Sequence, residues 1–211
     1  MEIIIVKTDN ISFADIEEYL SCVSSARRSV VLKKSSDTDR VQSLVAGLLL
    51  RSEISKRTGV PTTKISFVKG PHGKPYLNGG EVQFSISHTN GAVCVAVGEA
   101  ADGEIGVDIE RCDRRASDRL KERVLCENER MFAYNDEGFI RIWVKKEAFL
   151  KRMGIGVATD LKGADTTILP DTVDVFFDDY FVGISGKNAT DTHITSISVE
   201  ELLSRFTTRK K

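Results

Sequence analysis

Histidine is scarce in this chain, with three in 211 residues, and the four cysteines (Cys22, Cys94, Cys112, Cys126) form no CxxC pair. That excludes the common zinc cages and argues against a disulfide framework. Reduced thiols are expected, with Cys94 buried because it stands in an apolar strand pattern. No apolar run approaches the length of a membrane span. Met1-Glu2-Ile3-Ile4-Ile5-Val6-Lys7 has an acid at its second position and too short an apolar run for a leader, so it reads as a first strand. A cytoplasmic protein is the expectation. Neither sign of charge dominates: 30 basic against 31 acidic side chains leave a net charge of −1. A general nucleic-acid binder would be clearly basic. Low-complexity stretches, long linkers and repeats by identity are also lacking.

What is present is the composition of a soluble globular protein, 41% apolar and 29% charged, long enough to bury a real core. Residues 2–7 predict a strand, Phe13–Ser24 a helix, and the pattern Val41, Leu44, Val45, Leu48, Leu49 a long helix that stops near Thr58-Gly59. Lys64–Val68 reads as a short strand. Two prolines and two glycines make Gly70–Pro75 an irregular loop. Val82–His88 and Val93–Val97 flank an Asn90-Gly91 hairpin signal, and Ile105–Glu110 forms a third strand. If these three pair in order, His88, Asp108 and Glu110 share one sheet edge. Residues 117–134 are helical in pattern, and the helix carrying Trp143 follows. Val173–Phe177, Tyr180–Ser185 and His193–Val199 read as antiparallel strands before a closing helix, Val199–Phe206. The order predicts an α+β fold of two similar lobes, residues 1–103 and 104–211.

Two segments carry acids where the pattern favours neutral or apolar residues. Ile105, Val107 and Ile109 alternate with Gly106, Asp108 and Glu110, which throws both acids to one strand face, their Cα atoms roughly 6.5–7 Å apart. Gly106 on that face leaves room for something to approach. An Asp-x-Glu on an edge strand is either a solvated polar face or a pair converging on one ion. In the second segment Phe139, Ile142, Trp143, Lys146, Leu150 and Met153 trace a helical stripe, with Glu147 one turn from Trp143 and Lys151. Lys146 and Lys151 are either snorkelling surface lysines or neutralise a phosphate. Lys74, beside Pro75, is solvated or a phosphate clamp. His88 is a surface histidine, or acts on phosphate or protons beside a carboxylate site. Arg27, Arg28, Lys33 and Lys34 form a solvated face or hold a second phosphate. Three carboxylates with basic neighbours fit magnesium and a phosphate ester.

Together, Gly73-Lys74-Pro75, Phe84-Ser85-Ile86-Ser87-His88-Thr89, Gly106-Val107-Asp108-Ile109-Glu110 and Trp143-x-x-Lys146-Glu147-Ala148-x-x-Lys151 resemble the 4′-phosphopantetheinyl transferase family, surfactin-synthetase type, in order and spacing. Asp39-Arg40 ahead of Ser43-Leu44, and Val199-Glu200-Glu201-Leu202-Leu203, resemble its first and closing helices. The resemblance implies two pseudo-twofold-related lobes with antiparallel sheets, an active site at their interface, and a monomer. It implies magnesium on Asp108, Glu110 and Glu147, coenzyme A as co-substrate, and an acidic apo carrier protein as partner, with no nucleic acid and no membrane. Phosphopantetheine would pass from coenzyme A to a carrier serine and adenosine 3′,5′-bisphosphate would leave. Lys151, His88 and Ser87 would contact phosphates, and Lys74 would lie near the nucleotide. Glu147, or a water on the metal, would take the serine proton.

Two positions depart from the family pattern. Gln42 stands where an arginine is frequent, leaving Arg40, Arg27 and Arg28 as candidate 3′-phosphate contacts. Cys126 replaces a residue more often hydroxyl-bearing or aromatic. A magnesium-dependent phosphohydrolase or nuclease could use the same acids, although the charge and the missing acid-x-lysine pair after Asp108 count against it. A non-catalytic carrier-protein-binding relative is the other alternative. The basic segment Arg111–Arg123, with Leu120 or Val124 as an apolar contact, is either a solvated face or a docking surface.

Overall fold

The computed structural model describes residues 1–155 and 161–207. The first half runs β1 (Glu2–Lys7), α1 (Phe13–Ile16), α2 (Ser25–Leu32), α3 (Asp37–Thr58), β2 (Phe67–Lys69), β3 (Pro75–Leu77), β4 (Val82–Thr89) and β5 (Ala92–Glu99). The second half adds β6 (Gly106–Arg111), α4 (Asp118–Val124), α5 (Asp136–Met153), β7 (Thr172–Phe177), β8 (Tyr180–Ser185), β9 (His193–Ile197) and α6 (Val199–Thr207). One sheet has the order β4-β5-β1-β9, a second has β6-β8-β7, and β2 and β3 form a hairpin. The fold is α+β, as the element order predicts.

Layering follows from the residues of β1 and β5. Ile4 and Val6, with Val93, Val95 and Val97, pack against α3 through Leu44, Leu48 and Leu49. The alternate residues Ile3, Ile5, Ala92, Cys94 and Ala96 pack against Val107, Ile109, Val182 and Ile184 of the second sheet. A strand with apolar side chains on both faces is buried on both. Small side chains on β5 let the sheets approach. Beyond the second sheet lies α5, whose Phe139 and Ile142 pack near Phe181 of β8. The layers are therefore helix, sheet, sheet, helix.

The long helix is set as expected. Ser36 caps it by accepting from Asp39 N at 3.0 Å, and Gly59, at φ 70°, ends it in the left-handed region. Four expectations change. Phe13–Ser24 is not one helix: α1 passes into a 3-10 turn at Glu17–Cys22, and Ser24 then caps α2 by accepting from Arg27 N at 3.2 Å. The segment 117–134 is helical only as α4 and a 3-10 turn at Glu127–Glu129. β6 does not pair with β5, because β1 takes that place, and β6 pairs antiparallel with β8 instead. β9 leaves the antiparallel group and pairs parallel with β1, while Val199 and Leu202 of α6 enter the α3 core. The chain thus crosses from the first sheet to the second near residue 103 and returns to the first at β9.

Candidate active site

β4 and β6 are edge strands of different sheets, and they meet through side chains. Three alternate residues of β4 reach across. Ser85 Oγ accepts from Val107 N at 3.0 Å. Ser87 Oγ donates to Asp108 Oδ1 at 2.7 Å, and Thr89 Oγ1 donates to Glu110 Oε2 at 2.8 Å. The rising register makes the two edges run the same way. His88, Asp108 and Glu110 do share one end, but through this seam and not through a three-stranded meander. In the sequence Ser85 and Thr89 appear only as members of the Phe84–Thr89 motif, with no role of their own. Their signal was there, hydroxyls at a two-residue period on one strand face.

Over this seam lies α5. A Cβ on Gly106 would sit 1.9 Å from the Ala148 carbonyl oxygen, and one on Gly183 would sit 2.0 Å from the Val144 carbonyl oxygen. Glycine lets the helix backbone rest on β6 and β8, so what approaches Gly106 is α5 itself. That brings Glu147 and Lys151 down onto Asp108. Lys151 Nζ donates to Asp108 Oδ1 and to Ser87 Oγ, each at 2.7 Å. Asp108 and Glu147 are only 5% and 6% exposed, and Asp108 Oδ2 and Glu147 Oε1 are buried without a hydrogen-bond partner. Burial, then the Asp108 charge, pushes the Glu147 carboxyl above its ordinary range, with Lys151 and Arg114 opposing. Two orphaned, mutually repelling carboxylate oxygens are the environment a cation relieves. The residues present fit a hard divalent ion.

Glu110 stands apart from that pair. Both its oxygens are engaged, one by Thr89 and the other by Arg114. Arg114 also lies over the Trp143 ring, 5.2 Å from its centroid. Among the described residues, Asp108, Glu110 and Glu147 do not converge within 4.8 Å; the set that does is Cys126, Glu129 and Asp165. That second cluster is a structural knot. Glu129 accepts from Lys146 at 2.7 Å, Cys126 N at 2.9 Å and Thr166 N at 2.8 Å. Lys146, fully buried, also donates to the Val124 and Leu161 carbonyls at 2.8 Å. The phosphate reading of Lys146 is thereby corrected, since its ammonium is consumed inside the fold. Val124 is buried as well and offers nothing to a docking partner.

His88 keeps an exposed side chain at the end of β4. Its imidazole is nonetheless held below the ordinary histidine range, by crowding first and then by Lys151 and Lys34, against Asp39 and Asp108. The charges of Lys151 and Lys34 thus both reach His88. Arg40 donates to the Lys34 carbonyl at 3.0 Å and so stays beside that group. Gln42 donates to the Thr89 carbonyl at 2.5 Å and pins α3 to the end of β4. Lys74 is tied across the seam, to Glu104, to the Ile105 carbonyl at 3.3 Å and to the Arg152 carbonyl at 3.0 Å. It borders a cleft of about 240 Å³ that Ile86, Leu150 and Lys151 also line. Among the described contacts, Arg27 and Arg28 do not join the Asp108 cluster. Arg28 donates to the Leu20 carbonyl at 3.2 Å, and the position of Arg27 is against Gly47.

An edge-to-edge seam with paired orphan carboxylates, flanked by lysines and a cleft, can hold a cation against an anionic ligand. The family follows from the comparisons. Residues 10–100 match a family model described as 4′-phosphopantetheinyl transferase, N-terminal, and residues 104–191 match the 4′-phosphopantetheinyl transferase superfamily. These matches cover most of the chain, which belongs to the 4′-phosphopantetheinyl transferase superfamily. The chain is 28% identical over 156 residues to an L-aminoadipate-semialdehyde dehydrogenase-phosphopantetheinyl transferase of Xenopus laevis, covering 65% of this chain and 51% of that protein. It thus spans about half the length of that relative. A 4′-phosphopantetheinyl transferase of Bacillus subtilis is 26% identical, with 72% and 69% of the two chains covered. The 4′-phosphopantetheinyl transferase psf-1 of Bacillus pumilus is 27% identical, with 90% and 91% covered.

Proposed function

We propose that this chain transfers 4′-phosphopantetheine from coenzyme A to a serine hydroxyl of an acyl or peptidyl carrier protein, with magnesium, releasing adenosine 3′,5′-bisphosphate. The observation that carries the reading is the pair of buried, partnerless oxygens on Asp108 and Glu147 beside Lys151. Asp108 and Glu147 would hold the ion, with Glu110 as the third acid. Bound there, it would supply charge neutralisation at the pyrophosphate. Lys151 Nζ, already oriented by Asp108 and Ser87, meets the phosphate oxygens as a point charge. His88 and Lys34 would add donors, with Arg40 beside Lys34. Arg27 and Arg28, both on α2, are proposed as partners for a 3′-phosphate. The cleft by Lys74 takes the nucleotide end. Glu147, or a water on the ion, would accept the proton of the attacking serine. Holding the reactants in line does the rest of the work.

The carrier is proposed to be acidic and to dock on the segment after β6. Arg111, Arg114 and Lys121 are turned to Asp113, Glu110 and Asp136. Arg119 and Arg123 remain at the surface, with Arg115, which reaches Asp136 only at 3.6 Å and is 90% exposed. Partly exposed Leu120 gives the apolar contact. A cytoplasmic monomer completes the reading; among the described residues no helix is long and apolar enough to cross a membrane. Thermal melting tests the ligand pair. Coenzyme A with magnesium should raise the melting temperature by mass action, and coenzyme A alone should do less. Equal shifts with and without magnesium contradict the bridging cation.

A further inference from the structure

The acids of the site are held in two different ways. Asp108 gives one oxygen to Lys151 and Ser87 and keeps Oδ2 free and buried. Glu147 keeps Oε1 free and buried. Glu110 has a partner on each oxygen, Thr89 on one and Arg114 on the other. Arg114 comes from the loop between β6 and α4, four residues after Glu110, and its guanidinium is braced on the Trp143 ring. A planar guanidinium can satisfy a carboxylate and an aromatic face together.

We propose that Arg114 is a positioning residue that competes with the metal for Glu110: a latch that holds the third acid off the site until the ion arrives. The proposal rests on the magnesium reading above. Two carboxylates are enough for a magnesium ion to enter, since it completes its shell with water and phosphate. Glu110 does not converge with Asp108 and Glu147 while Arg114 holds it, so joining the ion means turning away from the guanidinium. The exchange is feasible because water reaches both groups, Arg114 being 34% and Glu110 14% exposed. When Glu110 turns to the ion, the guanidinium loses its anchor and moves off the indole. Trp143 is the chain's only tryptophan, so that movement has its own optical signal.

Two titrations without substrate test this. Manganese(II) binding is followed by electron paramagnetic resonance in wild type, Arg114→Ala, Glu110→Gln and Asp108→Ala. Magnesium titrations are followed by Trp143 emission. The latch predicts that Arg114→Ala binds manganese roughly two- to fivefold more tightly, the scale of a solvent-accessible ion pair. Glu110→Gln should bind more weakly. Magnesium should change Trp143 emission in wild type, with a midpoint matching metal binding, and leave it flat in Arg114→Ala. Unchanged or weaker metal affinity in Arg114→Ala overturns the latch, as does wild-type emission that ignores saturating magnesium. Glu110→Gln breaks the same pair from the other side, so unchanged affinity there overturns it independently of how Arg114→Ala folds. Wild type that binds no manganese, or Asp108→Ala that binds it equally well, defeats the metal reading itself and the latch with it.

Discussion

Lys151 Nζ is 2.7 Å from Asp108 Oδ1, and the same oxygen accepts from Ser87 at 2.7 Å. One contact joins α5, β6 and β4, and it orients the aspartate so that its other oxygen is left unpartnered beside Glu147. The lysine thus has two roles, fixing Asp108 and presenting a cation. Lys151→Met should keep the fold, because the side chain is 30% exposed, and lower kcat by about 10²–10³, the scale of a lost charge-stabilising donor. Steady-state kinetics on a protein with an unchanged melting profile checks this.

Glu147 gives a pH signature. Its carboxyl is raised by burial and by Asp108, so the folded state holds the proton more tightly than the unfolded state. The stability it contributes is complete below the ordinary glutamate range and is lost as pH rises through the raised value. Glu147→Gln should therefore melt higher than wild type at neutral pH without metal. That gap should close as pH falls below the ordinary glutamate range. Melting curves across pH, with chelator present, measure it. A gap that persists at acid pH places the cause elsewhere.

Gly106→Ala should destabilise the chain. The added methyl would meet backbone, Ala148 O at 1.9 Å and Arg152 N at 2.6 Å, and backbone cannot turn aside. Overpacking costs about 1–3 kcal/mol, and lifting α5 should also separate Lys151 from Asp108. Denaturant unfolding gives the first quantity and kcat of the folded fraction the second.

Lys146→Met separates the structural lysine from the chemical one. Both Lys146 and Glu129 are fully buried, and removing one partner of such a pair costs about 3–5 kcal/mol. Joint replacement, Lys146→Met with Glu129→Gln, should recover part of that loss. Urea midpoints of the single and double variants test the coupling.

Much of the site could be read from the chain, for a physical reason. Asp108 and Glu110 sit in a two-residue alternation, and Glu147 and Lys151 lie one turn apart, so local periodicity alone places each pair on one face. The long helix ending at Gly59 and the Asn90-Gly91 hairpin are local in the same sense. What was hidden is non-local. Nothing in the pattern of β6 says that β1 will occupy the place beside β5, or that β9 will return to β1. Nor does spacing reveal that Glu129, on a 3-10 turn seventeen residues upstream, consumes the Lys146 ammonium. In sequence Lys146 stands in the apolar stripe and Lys151 outside it; that Glu129 and the Val124 and Leu161 carbonyls take the Lys146 ammonium appears only in the fold.

The most direct test is the intact mass of an apo carrier protein incubated with the chain, coenzyme A and magnesium. The carrier should gain one phosphopantetheine group with wild type. It should gain none with Asp108→Ala, or with wild type in excess chelator. A carrier panel left unmodified by wild type, or modified equally by Asp108→Ala, contradicts the account.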